Sequence, residues 1–143
     1  MTDLDGPSER TFKRLGEEAE FEIFGRKLAA KLWGNPDGYP TLALHGWLDN
    51  ANTFERLAPR LTELNIIALD LAGHGKSDHR APGVQYHHSD YMLDIMSVVE
   101  LLNLEKFNLI GHSMGGQISS GIGATFPERV NRALMIDGFA AEG

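Results

Sequence analysis

Gly111-His112-Ser113-Met114-Gly115 places a hydroxyl nucleophile between two glycines, with Gly116 following. The run lies between a β-rich stretch, KFNLIG (106–111), and a small-residue helical stretch, MGGQISSGIGATF (114–126), which Pro127 stops. A serine at a sharp strand-to-helix turn sits in a strained backbone, with its side chain projecting from the end of the sheet. Side chains two positions before and after it would collide with that turn, and Gly111 and Gly115 supply the room. The helix behind Ser113 aims its free N–H groups at any oxyanion that forms. The chemistry expected of this pattern is attack by Ser113 on a carbonyl carbon.

An oxyanion needs two donors. One is the N–H after the nucleophile, that of Met114. The other is expected from the loop after the third strand, where PTLALH (40–45) runs into Gly46-Trp47. Gly46 lets that loop turn back over the site, so the Trp47 N–H is the natural second donor, whatever its side chain does. His45 is expected to brace the loop by a hydrogen bond rather than act as a base. Asp70, at the end of a strand before the glycine loop LAGHGKSD, is expected to tie down local N–H groups, and His74 to order that loop.

These residues need a scaffold, and the pattern along the chain supplies one. Residues 1–18 are polar, charged and without a sustained apolar period, and read as a flexible segment. The remainder, 19–143, reads as one domain. Strands are expected near 19–24, 27–33, 40–45, 66–70, 106–111 and 132–137, the first two as a hairpin about Gly25-Arg26. TFERLAPRLTE (53–63) has helical spacing, although Pro59 should interrupt it. SDYMLDIMSVVELLNL (89–104) places Tyr91, Ile95, Val98 and Leu102 on one helical face, with Ser89 or Asp90 as N-cap. This alternation is that of an α/β fold with a mostly parallel sheet.

Composition narrows the function classes. Thirteen Lys and Arg stand against 20 Asp and Glu, a net charge of −7, which argues against nucleic acid or an anionic membrane surface as partner. No cysteine is present, so thiol nucleophiles and zinc thiolate sites are excluded. MTDLDGPSER lacks the basic flank and apolar stretch of a signal peptide, and the expected location is cytoplasmic. Neither a cofactor nor a metal is expected. Glycine, at 16 of 143 residues, exceeds its usual share of about 7% and gathers at the motifs above.

Taken together, HGWLDNANTF (45–54), LDLAGHGKSDH (69–79), LIGHSMGGQIS (109–119), FPERV (126–130) and LMIDGF (134–139) follow the order of the α/β-hydrolase superfamily, which the chain resembles over residues 19–139. HGWLDNA is especially similar to the serine hydrolase-like (kraken-type) proteins. The resemblance implies strand order 1-2-4-3-5-6, the N-terminal half of the fold. It also implies Ser113 as nucleophile and Trp47 and Met114 as oxyanion donors. A serine at this position disfavours dehalogenase and epoxide-hydrolase chemistry; carboxylic esters are the leading substrate class, with thioesterase, lactonase, C–C hydrolase and perhydrolase chemistry left open.

One part of the family pattern is missing. The family places its acid and then its histidine after the serine, whereas His45, His74, His79, His87, His88 and His112 all precede Ser113. His112 is expected to face away from the site and His79 to be solvated. His87 and His88, before a helix on the site's side, are the remaining surrogates. Asp137 is read either as the acid, as in family members that carry it after the sixth strand, or as structural. The rival to an esterase is therefore a non-catalytic pseudo-hydrolase that binds a ligand or another chain. RALMID would leave an apolar sixth strand at the sheet edge, inviting a homodimer or a separate C-terminal half.

Overall fold

In the computed structural model, which describes residues 14–83 and 86–136, the polar N-terminal stretch joins the sheet earlier than its composition suggests. β1 (Arg14–Ile23) starts at Arg14, not at 19, and pairs with β2 (Arg26–Gly34) from Arg14 opposite Gly34 to Ile23 opposite Arg26. An edge strand tolerates this polarity because one of its sides faces water. Arg14 adds a long-range tie, donating to the Trp33 carbonyl at 3.2 Å and reaching the Asn65 side chain. The ladder slips between Leu15 and Glu17, where Gly16 (φ 80°) passes under the Trp33 ring.

β3 (Pro40–Leu44), β4 (Asn65–Leu69), β5 (Phe107–His112) and β6 (Val130–Ile136) complete a six-stranded sheet in the order β1-β2-β4-β3-β5-β6. The β1–β2 and β2–β4 pairs are antiparallel, and β3–β4, β3–β5 and β5–β6 are parallel. This is the α/β arrangement and strand order expected, with β6 the last strand of the sheet among the described residues.

Alternation at period two sends each strand's side chains to opposite faces. On one face Leu42, Leu44, Ile67, Leu69 and Leu109 pack with Tyr91 and Ile95 of α1 (His88–Leu101) and Ile118 and Ile122 of α2 (Met114–Thr125). On the other, Trp33, Ala43, Ile66, Ala68 and Ile110 meet Phe54 and Ala58. Each large side chain buried in this way contributes roughly 1.5–3 kcal/mol.

Two local expectations are corrected. Residues 53–63 form no α-helix; two 3-10 turns, Ala51–Phe54 and Ala58–Arg60, stand there instead. Pro59 occupies the start of the second and lacks the N–H an α-helix would need. The Asn50 side chain caps the first by accepting from the Asn52 N–H at 2.8 Å. The N-cap of α1 is His87 rather than Ser89 or Asp90. Asp90 instead accepts from the His87 N–H at 3.3 Å, the return arm of a capping box.

The glycine loop is locked to the helix layer by one carboxylate. Asp94, 2% exposed, accepts from Arg26 at 2.9 Å and Arg80 at 3.0 Å. The Arg80 guanidinium also lies over the Tyr86 and Tyr91 rings, 5.4 and 5.7 Å from their centroids. Removing the carboxylate would leave two half-buried cations facing each other. Asp94→Ala is therefore expected to lower unfolding free energy by about 3–5 kcal/mol. Urea unfolding checks this, and a loss no larger than that of an exposed-site substitution would contradict it.

Candidate active site

Ser113 stands alone between the last residue of β5 and the first of α2, exposed, with φ 55° and ψ −116°. A positive φ is costly for a residue with a side chain and persists only where surrounding contacts impose it. Those contacts are clear. The Ser113 N–H donates to the Ile136 carbonyl at 3.0 Å, and its own carbonyl accepts from Gly116 (2.8 Å) and Gln117 (3.1 Å). Among the described residues, the N–H groups of Met114 and Gly115 are left without a backbone acceptor. These are the free donors that a helix N-terminus offers.

The two flanking glycines are there for space. A Cβ on Gly111 would stand 2.7 Å from the Gly116 Cα. One on Gly115 would stand 2.8 Å from the His45 carbonyl oxygen and closer still to that of Leu44. The first turn of α2 therefore rests directly on the ends of β5 and β3, and only hydrogen atoms fit between.

The loop after β3 closes over the serine as expected. A Cβ on Gly46 would lie 3.2 Å from the Ser113 Cβ. The next residue, Trp47, is 58% exposed, its ring edge-on to His74 at 5.4 Å between centroids. Leu48, 79% exposed and two residues after Gly46, holds φ 63°, another strained non-glycine residue that no sequence signal marked. Asp70 fixes the loop from below, accepting from the Ala51 N–H at 2.7 Å and the Lys76 N–H at 2.9 Å.

His45 is fully buried with both ring nitrogens engaged. Nε2 accepts from the Leu71 N–H at 2.9 Å, so the proton sits on Nδ1, which donates to the Gly46 carbonyl at 2.7 Å. Burial pushes its pKa below the ordinary histidine value, against a smaller upward pull from the Gly46 hydrogen bond. The folded state thus resists a proton that the unfolded chain accepts near pH 6.5, roughly. Stability from this residue is present above that pH and is lost as the pH falls below it. The urea midpoint is expected to drop between pH 7.5 and 5.5, and to drop less in His45→Gln. Equal drops in the two proteins would contradict this.

The other histidines are dispersed. His112 lies on the face of β5 away from α2, its Nδ1 buried against Gly46 and without a hydrogen-bond partner among the described residues. His74 is buried with Nδ1 3.0 Å from the Ala72 carbonyl, and His79 is exposed. His87 and His88 are exposed at the start of α1, and among the described residues no hydrogen bond joins either to Ser113. Asp137 lies outside the described residues. Among those described, no three His, Asp or Glu side chains gather as metal ligands, and no helix is long and apolar enough to cross a membrane.

The β5–α2 junction thus carries a strained serine on a strand–helix turn with a glycine loop folded over it. The family model of the alpha/beta hydrolase fold matches residues 39–142. The chain belongs to that family. It is 40% identical over 131 residues to serine hydrolase-like protein 2 of Homo sapiens, covering 91% of this chain and 42% of the relative. A serine hydrolase-like protein of Dictyostelium discoideum is 43% identical over 126 residues, covering 85% and 35%. Among solved structures, a hypothetical protein from Pseudomonas aeruginosa PAO1 superposes with TM-score 0.85 at 51% identity, over 88% of this chain and 45% of that one. The thioesterase domain from the curacin biosynthetic pathway gives 0.82 at 27% identity, over 90% and 48%. This α/β-hydrolase chain thus spans about half the length, or less, of these relatives.

Proposed function

We propose that this chain carries the nucleophile and oxyanion hole of a serine hydrolase acting on carboxylic esters. The Ser113 oxygen attacks the ester carbonyl, the carbonyl oxygen takes up negative charge, and the alcohol departs with a proton to leave an acyl-serine that water hydrolyses. The N–H groups of Met114 and Trp47 hold the oxyanion. Gly46 and Gly115 make their approach possible, Gly111 seats the helix, and His45 braces the loop. The observation that carries this reading is the forced positive φ of Ser113 at the β5–α2 junction, with Gly46 packed on its Cβ.

Asp137 directly follows Ile136, whose carbonyl holds the Ser113 N–H. Asp137 is proposed either as the acid of the triad or as a structural carboxylate. The second reading, a non-catalytic pseudo-hydrolase, is favoured by the placement of the described histidines: among the described residues none is hydrogen-bonded to Ser113, and His45 and His74 are bonded to backbone groups. Hydrolysis of a short activated ester, with Ser113→Ala run beside the unaltered chain, separates the two. A rate above buffer that vanishes in Ser113→Ala supports the hydrolase reading. Equal rates for both proteins support the binding protein. Serine hydrolase-like relatives and a thioesterase domain among the structural neighbours support a hydrolytic reading.

A further inference from the structure

The oxyanion donor proposed at Trp47 sits in a loop that its own backbone secures poorly. Among the described residues the Trp47 N–H has no backbone acceptor, and the turn around it closes through the Asp49 N–H to the Gly46 carbonyl at 3.2 Å. Leu48 adds strain within that turn at φ 63°. An oxyanion hole works only when its donors are fixed before the charge develops. Something outside the loop's backbone must therefore hold residue 47.

That support lies on the glycine loop. His74 is buried and tied at three points. Its N–H donates to the Leu71 carbonyl at 2.8 Å, its carbonyl accepts from the Ser77 N–H at 3.0 Å, and Nδ1 lies 3.0 Å from the Ala72 carbonyl. With the proton on Nδ1, Nε2 keeps its lone pair, buried and without a hydrogen-bond partner among the described residues. Rings surround it instead. The His45 ring is 5.0 Å away between centroids, Tyr91 is 6.3 Å and Trp47 is 5.4 Å, the last two edge-on. Edge-on aromatic pairs attract over such distances. Tyr91 is itself buried in α1, against the Arg80 guanidinium that Asp94 holds. Packing thus runs from the fixed helix layer through His74 to the Trp47 indole.

We propose that His74 is a positioning residue: its ring, packed edge-on to the Trp47 indole, holds the Trp47 N–H in place as an oxyanion donor. The donor role rests on the hydrolase reading of Ser113. Holding Trp47 is distinct from ordering the glycine loop, for which the Nδ1 bond to the Ala72 carbonyl suffices. His74→Asn separates the two. The asparagine amide nitrogen takes the place of Nδ1 and can donate to that carbonyl, while the ring is gone.

Nitrogen-15 relaxation of the 143-residue chain reads the Trp47 backbone N–H, while the indole of the buried Trp33 reports whether the fold is kept. The order parameter expected at residue 47 is about 0.85 in the unaltered chain and below about 0.6 in His74→Asn. His79→Asn, at an exposed histidine a few residues on, should leave it unchanged. Affinity for a small alkylboronic acid bonded to Ser113 should fall about tenfold in His74→Asn and in Trp47→Ala, as when a hydrogen bond to a charged oxygen is misplaced. The double variant should fall little further, because both substitutions remove one contact. Losses that add, or a rigid residue 47 with unchanged affinity in His74→Asn, overturn the proposal. Should His74→Asn fail to fold, Trp47→Ala removes the same contact from the loop's side, and a rigid residue 47 there overturns it equally. No boronate on Ser113 in the unaltered chain would defeat the hydrolase reading and with it the donor role. A mobile residue 47 in His74→Asn would still uphold His74 as the support of the loop.

Discussion

Ester hydrolysis by the 143-residue chain should reach no more than about 10³–10⁴-fold over water, the level that an oxyanion hole and binding sustain when a triad is broken. The reason is a proton. In the proposed reaction Ser113 must lose one as it attacks, and a base must stand within about 2.6–3.2 Å of its oxygen to take it. His45 is the buried histidine of the adjoining loop, but both its nitrogens are committed, one to the Leu71 N–H and one to the Gly46 carbonyl. His112 lies on the far face of β5, under Gly46. Steady-state hydrolysis of a short activated ester measures the rate. A turnover near 10 s⁻¹, ordinary for an enzyme, that is abolished by Ser113→Ala would contradict this account. It would send attention to His87 and His88.

Gly115→Ala should be the most damaging small substitution in α2, costing about 3 kcal/mol, at the upper end for overpacking. Its methyl group would meet the carbonyl oxygens of Leu44 and His45, which are backbone and cannot rotate aside. The helix must lift off β3, and the Met114 N–H lifts with it. Gly123 is the control within the same helix, since a Cβ there meets nothing within 4 Å. Gly123→Ala should stabilise by roughly 0.5–1 kcal/mol, because glycine is a poor helix former. Urea unfolding of the two variants decides the matter. Gly115→Ala as stable as Gly123→Ala would mean that the helix does not rest on the β3 end.

The parts of the molecule legible in sequence were those set by short-range pattern. The β–α alternation, the glycines around Ser113 and the apolar run of β6 all express local periodicity or local steric need. The strand order came only with the family resemblance, since no local feature of NIIAL says that it lies between β2 and β3. What stayed hidden depends on distant partners. Arg14–Glu18 look like a solvated terminus until β2 and Asn65 offer them hydrogen bonds. Asp94 reads as one polar residue of a helix, and only the fold brings Arg26 and Arg80 to it from 68 and 14 residues away. TFERLAPRLTE has helical spacing, but Pro59 and the Asn50 cap hold the chain in two tighter turns. At the site, the His45 role was readable in kind, whereas its partner at Leu71 and the strained Leu48 were not.

The central claim is that Ser113 faces two preorganised donors, the N–H groups of Met114 and Trp47. A crystal structure of the chain with a small alkylboronic acid tests it most directly, because boron bonded to the Ser113 oxygen becomes tetrahedral and places a hydroxyl where the oxyanion would be. The account predicts that hydroxyl oxygen about 2.7–3.1 Å from both nitrogens. A boronate on Ser113 whose oxygens point to solvent, with neither N–H in reach, would contradict it.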